Sequence, residues 1–246
     1  ATSNPNIKVI SGNKAENSDW YNGDSVVLQV TNGDQVDGAS KIVKTTYKIE
    51  GTEQVEETEI EDGGTIAINQ NGTYTITAYN INEAGQKSDG VSIVIKKDNT
   101  IPDAPGIEVI EGTKAENSDW YINNVTLQVK KAEVEPDLSP INKITYRITG
   151  TKQVEETEIE DGGIIPINEN GIFTITVYNY NEAGKKSEGR IITIKKDDTT
   201  LSAPSIEVVS GTKNENSDWY IDNVTLQVKK AEINTDLAPI VRMTYK

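Results

Sequence analysis

Apolar and polar residues alternate with a period of two along most of the chain, and no segment carries a long apolar stripe at helical spacing. Between residues 107 and 194, seven short alternating runs are rich in Val, Ile, Thr and Tyr, which favour strands. These runs predict strands at 107–109, 125–129, 144–148, 154–159, 164–167, 173–177 and 191–194. Turn signals such as Asn170-Gly171 separate them, because glycine permits a positive φ. The pattern predicts an all-β fold.

The pattern recurs at an interval of about 100 residues. Glu-Asn-Ser-Asp-Trp-Tyr occupies 16–21, 116–121 and 215–220, and an eleven-residue string occupies both 54–64 and 153–163. The chain therefore divides into repeat 1 (1–101), repeat 2 (102–201) and the N-terminal part of repeat 3 (202–246). A unit of this size can bury its own core, and seven alternating strands are the strand count of an immunoglobulin-like sandwich. We predict tandem immunoglobulin-like β-sandwich domains of about seven strands each.

The third repeat stops at Lys246, less than halfway through its unit. Either the sequence is a piece of a longer protein with neighbouring repeats, or another chain completes this unit. An incomplete sandwich exposes an apolar face and unpaired strand edges. This feature motivates one functional alternative, in which the chain is a segment of a self-assembling surface layer or fibre.

Short proline-containing linkers join the repeats at 97–105 and 197–204. Proline restricts φ, so these linkers are semi-stiff joints that favour an elongated rod. Three segments resemble the bacterial Ig-like repeats of Gram-positive surface proteins and adhesins. They are residues 98–105 in the first linker (Asp-Asn-Thr-Ile-Pro-Asp-Ala-Pro), the strand at 71–79 (Asn-Gly-Thr-Tyr-Thr-Ile-Thr-Ala-Tyr) and the turn at 82–88 (Asn-Glu-Ala-Gly-Gln-Lys-Ser). The resemblance implies an exported, often cell-wall-attached protein. Tyr74 also resembles the tyrosine of a tyrosine corner, and Phe173 replaces it in repeat 2.

Composition restricts the chemistry. The sequence has no His and no Cys, which excludes Ser-His-Asp and Cys-His catalysis and the usual zinc sites. Its formal charge of −15, without a cluster of Lys and Arg, argues against nucleic acid and anionic membranes as partners. No apolar run is long enough for membrane insertion. The densest acidic run, 56–62, is interpreted as a solvated edge strand that prevents aggregation rather than as a glycosidase carboxylate pair. The sequence predicts no catalytic residues and no enzyme.

The repeated Asp-Trp-Tyr motif has two interpretations. Its aromatic side chains cap one end of the sandwich and pack on the next linker, or they form an exposed platform that stacks on sugars. Repetition of an exposed platform would add avidity for a glycan or a host protein. The candidate binding residues are Trp20, Tyr21, Trp120, Tyr121, Trp219 and Tyr220.

Carboxylate and amide side chains also gather near the linkers. Hard oxygen ligands suit Ca²⁺, and an ion bound at the joints would stiffen the rod, although Asp and Asn are also ordinary linker residues. The candidate metal ligands are Asp98, Asn99, Asp119, Asp197, Asp198 and Asp218. The function predicted from the sequence is a spacer or stalk of an extracellular bacterial protein, on the cell surface or in the cell wall, that presents a distal domain. A multivalent adhesive module and a self-assembling segment remain the alternatives.

Overall fold

The computed structural model describes residues 2–35 and 37–246, which form eighteen β-strands and no α-helix. Repeat 1 contains Asn6–Ser11 (β1), Trp20–Tyr21 (β2), Val26–Thr31 (β3), Ile42–Gly51 (β4), Val55–Ile60 (β5), Thr65–Ile68 (β6), Gly72–Asn82 (β7) and Val91–Lys97 (β8). Repeat 2 contains Gly106–Glu111 (β9), Trp120–Tyr121 (β10), Val125–Lys130 (β11), Ile141–Gly150 (β12), Val154–Ile159 (β13), Ile164–Ile167 (β14), Gly171–Asn181 (β15) and Arg190–Lys196 (β16). Repeat 3 contains Ser205–Ser210 (β17) and Thr225–Lys229 (β18). The all-β prediction is confirmed.

Repeats 1 and 2 are both two-sheet sandwiches with the same strand order. In repeat 1, the sheet β1-β3-β6 opposes the sheet β2-β8-β7-β4-β5, and in repeat 2 β9-β11-β14 opposes β10-β16-β15-β12-β13. The two-residue strands β2 and β10 pair in parallel with the ends of β8 and β16, whereas the other pairs are antiparallel. All seven strands predicted for repeat 2 are present. Strand β10 was not predicted, because two residues carry no detectable periodicity.

Each sandwich has its own core, built from alternate residues of strands in opposing sheets. In repeat 2, Leu127 of β11 and Ile175 of β15 are fully buried, and their register equivalents in repeat 1 are Leu28 and Ile76, also fully buried. The two core clusters share no residue. A side-chain period of two places every second residue of these strands on the inner face, so the alternation in the sequence translates directly into two separate cores.

Repeat 1 contains the tyrosine corner suggested by its sequence. The Tyr74 side chain is buried, and its hydroxyl donates to the backbone carbonyl of Gln70 at 3.1 Å. Burial raises the pKa of Tyr74 above its ordinary value, and the nearby carboxylates of Glu53 and Asp137 act in the same direction. Phe173 occupies the equivalent buried position in repeat 2 and has no hydroxyl to donate.

The acidic strands lie where the sequence predicted them. Strands β5 and β13 are the outermost strands of their sheets, and their central glutamates are exposed. Exposed charges along an unpaired strand edge oppose the addition of strands from other molecules. This placement fits the interpretation of 56–62 as an edge strand.

Candidate functional site at the joints between repeats

The Asp-Trp-Tyr motif belongs to a tight loop that is closed by backbone hydrogen bonds. Ala15 N donates to the Trp20 carbonyl at 2.8 Å, and Trp20 N donates to Ser18 Oγ at 3.1 Å. Asn17, between them, has a φ of 54°, in the left-handed region that Asn adopts more readily than most residues. The same backbone bond closes the loop before Trp120 at 2.8 Å. The loop therefore presents the tryptophan in a defined position.

The tyrosine of each motif packs against its own repeat. A Cβ added to the facing glycine would lie 3.0 Å from the Tyr21 ring, 2.9 Å from the Tyr121 ring and 3.0 Å from the Tyr220 ring. The facing glycines are Gly12, Gly112 and Gly211. Tyr121 is buried, while Tyr21 and Tyr220 are half-buried. These candidate binding residues thus fill the end of the sandwich, as the packing interpretation of the motif predicts.

The three tryptophans have different surroundings. Trp20 is 5% exposed, and its Nε1 donates to Glu182 Oε2 of repeat 2 at 3.1 Å. Trp120 is half-buried, and Trp219 is 79% exposed. Of the candidate binding residues, Trp20 is therefore covered by the neighbouring repeat and offers no free ring face for a ligand.

A turn of repeat 2 covers the Trp20 side of the joint. Asn22 Nδ2 donates to the Ala183 carbonyl at 2.8 Å, and a Cβ on Gly184 would lie 3.7 Å from the Ala15 Cβ. Ala183 is 0% exposed, whereas Ala84, its register equivalent in repeat 1, is exposed. The contact between repeats accounts for this difference, because the turns at 82–85 and 181–184 have the same sequence.

A buried carboxylate links the two repeats on the linker side of the joint. Asp98 is 1% exposed, and its backbone N donates to the Tyr21 carbonyl at 2.8 Å. Its Oδ1 accepts from Thr100 N at 2.9 Å, and its Oδ2 accepts from Ser139 N of repeat 2 at 2.9 Å. Asp98 therefore holds the end of repeat 1 against a loop of repeat 2; we call this arrangement the aspartate latch.

The aspartate latch is repeated at the second joint. Asp197 N donates to the Tyr121 carbonyl at 2.9 Å, and Asp197 Oδ2 accepts from Ala238 N of repeat 3 at 2.9 Å. Burial alone would raise the pKa of Asp197. The hydrogen bonds from Thr199 and from Ala238 N outweigh burial, so the pKa of Asp197 lies below its ordinary value. Both latches span 41 residues of sequence. The same contact between neighbouring repeats thus occurs at both joints.

Asparagine side chains pin the segment that enters each sandwich. Asn80 Nδ2 donates to the Ser3 carbonyl at 2.9 Å, and Asn179 Nδ2 donates to the Asp103 carbonyl at 2.8 Å. Both asparagines are 0% exposed. The linker into repeat 2 is therefore held by Asn179 as well as by the aspartate latch, which limits its bending.

The two pinning asparagines differ in one respect. Asn80 Oδ1 accepts from Thr45 Oγ1 at 2.9 Å, whereas Asn179 Oδ1 is buried and has no hydrogen-bond partner. Ile144 stands in repeat 2 where Thr45 stands in repeat 1, so the donor has been replaced by an apolar side chain. This substitution explains the unsatisfied oxygen.

Two lysines near the joints are buried. Lys97 and Lys196 are each 1% exposed, and their Nζ atoms donate to Asn71 Oδ1 at 3.0 Å and Asn170 Oδ1 at 2.9 Å. Burial lowers the pKa of Lys97. Lys196 also contacts Asp198 Oδ2 at 2.7 Å, and this hydrogen bond lowers the pKa of Asp198.

The candidate calcium ligands are engaged in separate contacts. Both oxygens of Asp98 and of Asp197 accept the latch hydrogen bonds, and Asp198 pairs with a buried lysine. Asn99 Nδ2 donates to Asp24 Oδ1 at 3.3 Å, Asp218 contacts Lys213 at 2.7 Å, and Asp119 is exposed. Within residues 2–35 and 37–246, no three His, Cys, Asp or Glu side chains gather to hold a metal ion. Calcium at the joints stays a prediction.

A polar cluster on the outer face of each five-stranded sheet was missed from the sequence. Glu156 Oε1 accepts from Thr145 Oγ1 at 2.7 Å and from the Tyr180 hydroxyl at 2.6 Å, while Lys186 Nζ lies 2.8 Å from Glu156 Oε2. Burial alone would raise the pKa of Glu156, but these hydrogen bonds lower it to about 2. Repeat 1 has the equivalent glutamate, Glu57, with Ile81 in the place of Tyr180.

We expect this cluster to stabilise repeat 2 in a pH-dependent manner. Because the pKa of Glu156 is lower in the folded state than in the unfolded state, the ionised carboxylate stabilises the fold at pH values above the unfolded pKa of 4.5. This stabilisation is lost as the pH falls towards 2. Glu156→Gln should lower the free energy of unfolding by about 1 kcal/mol at pH 7, because solvent screens a partly exposed pair. The loss should nearly disappear near pH 2. Urea denaturation at both pH values measures the change.

The control for this experiment is Glu57→Gln in repeat 1, where no tyrosine hydroxyl reaches the carboxylate. Its effect at pH 7 should be smaller than that of Glu156→Gln. Equal losses at pH 7 and pH 2 for Glu156→Gln would show that the ionised carboxylate is not what stabilises the cluster.

The fold and its joints together define the class of the chain as a tandem array of immunoglobulin-like β-sandwiches.

No protein-family model matches the chain, and no curated protein matches it. Among solved structures it is similar to the Clostridium thermocellum CbhA fibronectin(III)-like modules, with 10% identity, a TM-score of 0.31, and coverage of 78% of this chain and 95% of that chain. It is also similar to the chicken CNTN1 FN1-FN3 domains, with 12% identity, a TM-score of 0.30, and coverage of 79% and 69%. In the described part of the chain, no helix has the length and hydropathy to cross a membrane.

Proposed function

We propose that the chain is a structural spacer, made of repeats that hold a distal domain of an exported bacterial protein away from the cell surface or cell wall. The observation that carries this proposal is the aspartate latch, which occurs at both joints with the same spacing and the same kind of backbone donor. A chain joined by fixed, repeated contacts keeps its length, whereas flexible tethers would let the repeats fold back on one another.

The aromatic side chains support the spacer over the adhesive alternative. Trp20 and Tyr121 are buried, so a sugar or protein ligand would have to separate packed surfaces before it could stack on them. A repeated binding platform requires each copy to be accessible at once, since avidity depends on simultaneous engagement. The motif is better suited to joining repeats than to capturing ligands.

The bacterial surface location rests on the motifs of the linker, the strand at 71–79 and the turn at 82–88. A sequence without cysteine fits this location, because full-sized cores make disulfide staples unnecessary. Calcium bound at the joints is part of the proposal as an added stiffener.

Small-angle scattering with absolute mass on the 246-residue chain, in calcium and then in chelator, tests the spacer. We expect an elongated monomer in both solutions, and a longer maximum dimension with calcium if the ion stiffens the joints. A compact monomer would contradict the rod. A defined dimer or polymer would instead favour self-assembly, with the third repeat completed by another chain.

A further inference from the structure

The first joint contains two halves that fit together. One half is the tryptophan loop of repeat 1, with Trp20 and Ala15, and the other is the Glu-Ala-Gly turn of repeat 2 at 182–184. The turn supplies an acceptor for Trp20 Nε1, a small buried side chain at Ala183, and a glycine, Gly184, with a φ of 75°. We refer to these halves as the tryptophan face and the turn.

Each half also occurs a second time in the chain without its counterpart. The tryptophan face of repeat 2 contains Trp120, which is half-buried, and Ile122, which is 51% exposed. The turn of repeat 1 contains exposed Ala84 and Gly85, and a Cβ on Gly85 would have nothing within 4 Å. A tryptophan face therefore lies open at one end of the pair of sandwiches, and a turn lies open at the other.

The open turn has the same shape as the occupied one. Gly85 N donates to the Asn82 carbonyl at 2.9 Å, and Gly184 N donates to the Asn181 carbonyl at 2.9 Å. The asparagine side chains repeat this match, because Asn82 Oδ1 accepts from Gln86 N at 2.9 Å and Asn181 Oδ1 accepts from Lys185 N at 2.8 Å. The turn is thus formed before it meets a partner.

We infer that the tryptophan face of every repeat is a docking site for the Glu-Ala-Gly turn of the following repeat. The Trp120 face accordingly takes the turn of a third repeat that carries this sequence. The aspartate latch between Asp197 and Ala238 N already holds repeat 3 as the first latch holds repeat 2.

The tryptophan face of repeat 2 differs from that of repeat 1 at the residue that follows the tyrosine. Asn22, which donates to the Ala183 carbonyl, corresponds to Ile122 in repeat 2, since Asn22 N and Ile122 N make the same backbone bond to Asn13 and Thr113. The docked turn therefore loses one hydrogen bond and covers more apolar surface at this joint. Burial of an exposed isoleucine favours docking through the hydrophobic effect. The inference rests on the proposed spacer only in requiring that repeats follow one another.

The occupied joint can be tested in the 246-residue chain. With Trp120→Phe and Trp219→Phe, Trp20 is the only tryptophan, and its quenching by acrylamide reports its exposure. Ala183→Asp should increase the quenching constant several-fold, because a charged side chain cannot be buried against the tryptophan face. Ala84→Asp is the matched control in the open turn and should leave the quenching constant unchanged. Equal effects of the two variants would overturn the pairing of face and turn.

The open face is tested by completing repeat 3 with the chain's own sequence. Lys246 corresponds to Arg147, so residues 148–199 are appended after Lys246. With Trp20→Phe and Trp219→Phe, the quenching constant of Trp120 should fall several-fold in the extended chain, and Ala183→Asp in the appended copy should restore it. Light scattering confirms that the extended chain is monomeric. Unchanged quenching in a chain whose third repeat unfolds cooperatively would overturn the inference.

A second chain covers the case in which the completed third repeat does not fold. Residues 101–199 are placed ahead of residue 1, so that two complete repeats meet at the new joint and a copy of Trp120 faces the turn at 82–85. With that copy as the only tryptophan, Ala84→Asp should now expose it. No effect of Ala84→Asp in this chain would contradict the inference. If Ala84→Asp had no effect but scattering showed an elongated chain, the inference would fail and the spacer proposal would stand.

Discussion

Leu127→Ala is expected to lower the free energy of unfolding of repeat 2 by about 2–5 kcal/mol, through lost transfer free energy and a cavity that the rigid strands cannot close. Leu127 is 0% exposed and lies in the central strand of its sheet, opposite Val109 on one side and Ile165 on the other. Paired strands on both sides restrict the backbone movement that would fill the cavity. Urea denaturation followed by circular dichroism measures the change.

The repeats provide a matched series for this substitution. Leu28, Leu127 and Leu226 are register equivalents, but Leu226 in the incomplete third repeat is 59% exposed. Leu28→Ala should destabilise repeat 1 by an amount similar to the effect in repeat 2, whereas Leu226→Ala should have little effect. Separate core clusters imply that each change affects its own repeat. If Leu127→Ala melted both sandwiches together, the domains would not be independent.

Asp98→Ala is expected to lower the free energy of unfolding of the joined repeats by about 2–3 kcal/mol, because it leaves two backbone amides, one of them on buried Ser139, without a charged acceptor. The donors are Thr100 N within the linker and Ser139 N in the neighbouring repeat, each at 2.9 Å. The bond from Ser139 N connects the two repeats, so its loss should also let the joint bend more easily. Urea denaturation measures the stability, and scattering measures the maximum dimension.

Two other aspartates are controls for Asp98→Ala. Asp103→Ala changes an exposed side chain in the same linker, and it should be nearly neutral because the hydrogen bond at this residue uses its backbone carbonyl. Asp197→Ala breaks the equivalent latch at a half-buried position and should cost less than Asp98→Ala. A neutral result for Asp98→Ala would mean that the latch is incidental to the joint.

The strands of both sandwiches could be predicted because their causes are local. Burial on one face of a strand requires an apolar residue at every second position, and the amino-acid sequence around Val125, Leu127 and Val129 shows this pattern directly. The recurrence of the pattern after 99 residues then predicted a second sandwich. The Tyr74 corner was predicted for a similar reason, since its hydroxyl bonds to Gln70, four residues away.

The charged groups show where sequence reasoning stops. Glu156 belongs to a strand that the sequence indicates is solvated, yet its oxygens accept from side chains of two other strands and a neighbouring turn, which composition cannot reveal. Likewise, the sequence places Asp98 in a linker but does not reveal that its two carboxylate oxygens accept from the backbone amides of Thr100 and Ser139. The residue type indicates what a group can bind, and only the tertiary structure decides what lies within reach.

The sequence by itself determined the all-β fold and its tandem character, because these follow from alternation, from local turn chemistry and from the recurrence of both along the chain. The surroundings of the Asp-Trp-Tyr motif depend on tertiary structure alone. Identical copies of the motif give a tryptophan that is 5% exposed in repeat 1 and half-buried in repeat 2. The difference arises because the turn that covers Trp20 lies 162 residues further along the chain, in another repeat. Burial by a distant partner leaves no trace in the motif itself.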